Sequence, residues 1–127
     1  MKNFVRIVHL GCPGHFICAN RCHYRRHTQI ETDTGGFRIS TVGDFYPEYD
    51  KPGVRQALGY PSDAFFETFV FEITAEQAKG NEGCGCREVK GWGQIEGIRS
   101  KDAKGAHETH ERLIVKYAAL AETGGPA

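Results

Sequence analysis

The chain has 127 residues, and its 16 basic side chains balance 16 acidic ones, so it carries no formal net charge. That length supports one domain, and the balance argues against both a basic DNA-coating protein and an acidic tail protein. With 39% hydrophobic residues, eight Phe and five Tyr, the chain can bury a core, and no apolar run approaches the roughly 20 residues of a membrane span.

The N-terminal MKNFVRIVHLG is too short and too interrupted for a secretory signal, so the expected location is the cytoplasm, where thiols stay reduced. Residues 3–10 read as a strand, with Val5, Ile7 and His9 on one face and Phe4, Val8 and Leu10 on the other. Both faces are mostly apolar, which predicts an inner strand. Gly11-Cys12-Pro13-Gly14 ends it, and a Cys- and His-rich connection follows. Residues 25–32 and 37–43 flank Asp33-Thr34-Gly35-Gly36 and predict a hairpin. Its second strand puts Phe37, Ile39 and Thr41 on one side and Arg38, Ser40 and Val42 on the other. Residues 44–62 hold three prolines and read as a long loop.

The run FFETFVFEI, residues 65–73, is the clearest strand, with Glu67 on the same face as Phe65, Phe69 and Phe71. A second loop over 74–87 ends in Gly83-Cys84-Gly85-Cys86, and one or two short strands follow by Ile98. Ser100 suits a helix N-cap and Asp102 the first turn. Beyond Ala103, the residues Ala106, His110, Leu113, Tyr117 and Leu120 form one stripe at helical period. The expected fold is therefore α+β: a curled antiparallel β-sheet with long loops and one C-terminal amphipathic helix packed on it. It occupies residues 1–122 as a single domain, with 123–127 as a tail.

Three groups of residues carry chemistry. Cys12, Cys18 and Cys22, with Cys84 and Cys86 folded back, supply the thiolates that a structural Zn²⁺ prefers. Their spacings lack the paired C-x2-C knuckles of a zinc ribbon, and small buried thiols are the competing reading. Arg21, Tyr24, Arg25 and Arg26 form the one locally basic aromatic stretch. Guanidinium forks suit phosphates and Tyr24 suits a base, so a phosphate-bearing ligand fits, while a positively charged edge strand is the bland account. The absence of a basic helix argues against duplex DNA. Glu67 and His110 are polar intruders on apolar faces. Glu67 with Arg38, and His110 with His107 at the edge of the stripe, predict a ligand or catalytic cluster between sheet and helix, or else a hydrogen-bonded structural network.

Ser40-Thr41-Val42-Gly43, then Phe65-Phe66-Glu67-Thr68-Phe69-Val70-Phe71, then Ala103-Lys104-Gly105-Ala106-His107-Glu108 occur in this order. The series resembles a group of small, uncharacterised bacteriophage and prophage proteins that reads S-T-V, F-E-T-M-V-F, A-G-H-E. Here Phe69 stands where Met is usual, and Gly-Ala-His-Glu replaces Ala-Gly-His-Glu. The resemblance implies a phage origin and a host bacterial cytoplasm, and it brings no established activity. The expected function is a phage accessory protein that acts by binding, holding a nucleotide-type host signal. A phosphoester hydrolase using His107, His110 and Glu67 is one alternative. A protein inhibitor of a host factor, presenting Phe45-Tyr46-Pro47-Glu48-Tyr49, is another. A homo-oligomer is compatible with each.

Overall fold

The computed structural model describes residues 2–10, 22–46, 57–58, 64–78, 85–91 and 93–124. Among these residues six strands precede one helix: β1 (Arg6–Leu10), β2 (Cys22–Thr32), β3 (Gly35–Phe45), β4 (Phe66–Gln77), β5 (Arg87–Val89), β6 (Glu96–Ser100) and α1 (Ala103–Thr123). All pairings are antiparallel, in the order β1-β2-β3-β4, and β4 is shared. Its first half, Phe66–Val70, pairs with β6, and its second half, Ile73–Gln77, pairs with β5 across a bulge. Bulges bend and twist the strand that carries them, so this break accounts for the curl of the sheet.

The expected α+β fold is therefore the one observed, with several local corrections. β1 pairs with β2 alone among the described residues. It is an edge strand rather than an inner one, and Phe4 (77% exposed) and Ile7 (48%) are open. The hairpin is longer than expected, 22–32 against 35–45: Cys22 pairs with Phe45 and Tyr24 with Gly43 at its open end, and Gly35 and Gly36 pair with Thr32 and Glu31 beside the turn. β4 runs on through Thr74 to Gln77, a stretch read as loop from its polar side chains. Most of the predicted 44–62 loop lies outside the described residues.

Every second residue of the sheet faces α1. Ile30, Phe37, Ile39 and Val70 meet Leu113, Ile114, Tyr117 and Ala121 of the helix in the main core. Asp102, not Ser100, is the N-cap: its Oδ1 accepts from the Gly105 amide at 2.7 Å, whereas Ser100 still belongs to β6. At the far end Gly124 adopts φ 85° and returns its N–H to the Leu120 and Ala121 carbonyls, so α1 reaches Thr123, one residue beyond the expected domain limit. Gly43 is required by contact: a Cβ there would lie 2.0 Å from the Phe66 ring, its cross-strand partner.

Candidate functional site

The alternation of β2 divides the basic stretch. Tyr24 and Arg26 face the helix side of the sheet, and His23 and Arg25 face the opposite side. Tyr24 packs edge-on against Phe66, with ring centroids 5.5 Å apart, so its ring belongs to the core rather than to a ligand platform. Arg26 leans on the first turns of α1. It hydrogen-bonds His107 Nδ1 at 3.2 Å and forms an ion pair with Glu111. That guanidinium holds the Glu111 carboxyl below its ordinary range. Arg21 lies outside the described residues.

Behind Arg26 sits His110, fully buried. Its Nε2 shares a hydrogen bond with Thr28 Oγ1 at 2.8 Å, and its Nδ1 shares one with Thr41 Oγ1, also at 2.8 Å. Thr28 is bonded in turn to His9 Nδ1 (3.0 Å) and Thr41 to Thr68 Oγ1 (2.8 Å). The result is a continuous chain, His9–Thr28–His110–Thr41–Thr68, across four strands and the helix. A neutral imidazole has one donor and one acceptor, which the two hydroxyls match. Burial lowers the His110 pKa to about 3, reinforced by the positive charge of Arg26, and Glu111 opposes the shift. With both nitrogens engaged and no exposed surface, His110 is a structural base pair for the threonines. It has no reach to a substrate.

The predicted Glu67–Arg38–His110 cluster does not form. Glu67 and Arg38 lie on the face opposite the helix, while His110 lies on the helix side. Register also separates the first two: Glu67 is opposite Val42, and Arg38 is opposite Phe71. Glu67 pairs instead with Arg99 of β6 at 3.0 Å. Partial burial raises the Glu67 pKa, and Arg99 limits the rise.

Arg38 joins a second buried network, which pins β5 over the outer face. It donates from Nη2 to the Arg87 carbonyl. Gln29 accepts from the Arg87 amide at 2.7 Å and donates to the Gly85 carbonyl at 2.9 Å. Its side-chain amide thus does what the peptide group of a neighbouring strand would do, saturating the backbone on both sides of Cys86. Glu31 accepts from Gln29 Nε2 at 2.7 Å and from Arg6 at 3.1 Å, while Arg87 Nη1 donates to the Thr32 and Gly35 carbonyls. Sequence reading missed this clip. Its only signal is a Gln, a Glu and two Arg at sheet positions that hydropathy would fill with apolar residues.

The cysteine reading narrows. Cys12, Cys18 and Cys84 lie outside the described residues. Cys22 is buried beside Val42, Phe45 and Leu58. Cys86 is buried opposite Gln29. Seven residues of β2 separate Cys22 from Gln29, roughly 20 Å at the rise of a strand, so one ion cannot take both thiols. Among the described residues no group of three metal-ligating side chains converges.

What remains open to solvent is the start of β2 on its outer face. The His23 ring stacks on Tyr46 with centroids 4.2 Å apart and planes inclined by 23°. Arg25, two residues along and on the same face, is exposed and has no carboxylate partner among the described residues. Asp44, beside the His23 row, takes a left-handed conformation at φ 53°, which Asp tolerates. Phe45 packs inward on Cys22 and Val42, so the aromatic loop predicted as a protein anchor loses its first side chain to the core. Comparison of the chain with models of protein families, with curated proteins and with solved structures gives no match in any of the three. No described helix is long and apolar enough to cross a membrane.

Proposed function

We propose that the chain is a small phage accessory protein that acts by binding, and that it holds a phosphate-bearing, nucleotide-type ligand in the host cytoplasm, withdrawing a host signal. The observation that supports this reading is the exposed Arg25 beside the stacked His23–Tyr46 rings. A guanidinium not committed to a carboxylate is ready for a phosphate fork, and a ring pair is a platform on which a base can stack. Arg26 is a weaker phosphate partner, because Glu111 already occupies it.

Turnover has less support than binding. The hydrolase alternative relied on His110 and Glu67 as acid–base groups, and these two are committed to Thr28 and Thr41 and to Arg99. His107 remains exposed on α1, and its Nδ1 is engaged by Arg26, which also pairs with Glu111. A binding protein needs no positioned base.

Calorimetric titration with a panel of mono-, di- and cyclic nucleotides tests the reading. One class should bind saturably, and Arg25→Ala and His23→Ala should each weaken it by about tenfold, as expected for loss of a charged hydrogen bond or of one stacked ring. The ligand should be recovered intact after denaturation. A panel without a saturable binder sinks the proposal, and recovery of a cleaved product would move it to the hydrolase.

A further inference from the structure

At the other end of the sheet, about seven strand residues from Arg25, a cleft opens between the β2–β3 turn, the start of the chain and the end of α1. It encloses about 160 Å³ and is lined almost wholly by polar atoms. That is close to the volume known to hold one six-carbon ring, so an occupant has only a handful of heavy atoms. Its floor is fixed by close contact: a Cβ on Gly36 would stand 1.9 Å from the Ile30 carbonyl oxygen at φ 140°, and one on Gly35 would stand 2.7 Å from that of Ile73. Thr32 and Thr34 supply hydroxyls at one side.

Two opposite charges stand at the rim. Glu72 and Lys90 line the cleft and face each other at 3.5 Å, longer than the roughly 2.7–2.9 Å of a tight charge-assisted bond. Their side chains are 38% and 64% exposed, so the pair opens at little cost. The third feature is the C-terminal end of α1, which reaches the cleft through Ala121 and Gly124; Asn3, also on the wall, donates from Nδ2 to the Ala121 carbonyl at 3.0 Å, so this end offers its dipole rather than a free acceptor. That end carries the negative pole of the helix dipole, and its last turn has no basic residue. Lys2 is tied to Glu122 at 3.1 Å and does not line the cleft.

We propose that this cleft binds a compact zwitterion of the α-amino-acid class, with its ammonium between Glu72 and the α1 terminus and its carboxylate on Lys90. The size admits such a molecule, and the rim offers one partner of each sign a few ångströms apart. The exposed Thr34 hydroxyl meets a remaining lone pair or proton, while Thr32 is held within the turn by the Gly35 carbonyl and the Thr34 amide. A simple anion would meet Glu72 and the helix terminus, and a simple cation would meet Lys90, so the arrangement selects for both charges on one small molecule.

The test is calorimetric titration of the full chain with glycine and L-alanine, with ethylamine and acetate as controls at the same concentrations. The expected result is saturable binding of the amino acids and none of the controls, with the Gly35 and Gly36 amide resonances moving on titration. Glu72→Gln and Lys90→Met should each weaken binding about tenfold, the loss expected for one charged hydrogen bond. Both side chains are half-exposed, so both variants should melt near the wild-type temperature. Arg25→Ala should bind the amino acids unchanged, which separates this site from the nucleotide reading. The proposal is overturned by the absence of saturable heat, by equal binding of ethylamine or acetate alone, or by resonance shifts confined to residues 22–26.

Discussion

His110 shows how one buried side chain links packing to pH. In the folded chain it is neutral and bridges Thr28 and Thr41, and its pKa is lowered to about 3 from an ordinary 6.5, by burial first. The unfolded chain therefore binds more protons between those two values, and stability falls as the pH is lowered through that window. From pH 7 to pH 5 this group alone should remove about 2 kcal/mol, while above pH 7 its contribution is complete. The check is urea denaturation at both pH values for wild type and His110→Gln: the variant should lose less stability on acidification, and an identical loss would contradict the assignment. A different residue-scale test is Gly43→Ala. The added methyl overlaps the Phe66 ring at 2.0 Å, so the core must open. A cost of about 3 kcal/mol or more is expected from such overpacking, seen as a drop in melting temperature. A variant that melts within a degree of wild type would show that Phe66 moves freely.

At the scale of elements, two local devices hold pieces in place. The N-cap of α1 is Asp102, whose carboxylate binds the Gly105 amide. Asp102→Ala should cost about 1 kcal/mol in chemical denaturation, whereas Ser100→Ala should cost less, since Ser100 is the last residue of β6. The reverse order would restore Ser100 as the cap. The second device is the Gln29 clip on β5. Gln29→Leu removes the partner of the Arg87 amide and of the Gly85 carbonyl inside the structure. Leaving two such groups unsatisfied should cost about 2–4 kcal/mol, and hydrogen exchange of the Arg87 amide should accelerate far more than that of Ile39 in β3. Uniform acceleration would show that β5 is held by the Ile73 and Gln77 pairing instead.

Among the described residues the main core forms where α1 covers β2, β3 and β4, and the polar networks lie beside it. Ile30, Phe37, Ile39 and Val70 are covered by the helix, and Tyr117 fastens it to β6 by donating to Glu96 at 2.6 Å. Helix and sheet therefore depend on one another. Unfolding followed by far-ultraviolet circular dichroism and by tyrosine fluorescence should give a single coincident transition, as cooperative single domains do. Separate midpoints would mean that the sheet stands without its helix. The two proposed binding places lie at opposite ends of this unit, so occupancy of one should leave affinity at the other nearly unchanged.

How much of this was legible depended on whether a residue's neighbours were near in sequence. Period and turn chemistry placed the hairpin, the Phe-rich strand and the helical stripe, because each is decided within about ten residues. The same alternation rule also contained the division of Tyr24, Arg25 and Arg26 between two faces, although the basic run reads as one patch when charge alone is counted. Long-range pairing was not legible. Glu67 meets Arg99 rather than Arg38 because β6 lies beside the first half of β4, where Arg99 is the cross-strand partner of Glu67. His110 rather than His107 turns inward, on the buried stripe with Ala106, Leu113 and Tyr117, and its partners Thr28 and Thr41 come from two strands far off in sequence. Gln29 is indistinguishable from a surface residue until Gly85–Arg87 is laid over it.

By itself, then, the sequence determined the class of fold, the length of the helix to within a residue or two, and the absence of a long apolar span, since these follow from composition and local period. Only the tertiary structure decided which polar side chains are structural and which are open to a ligand. A hydrogen-bond or charge partner is supplied by an element some tens of residues away, and its position is set by strand register, sheet curl and helix phase together.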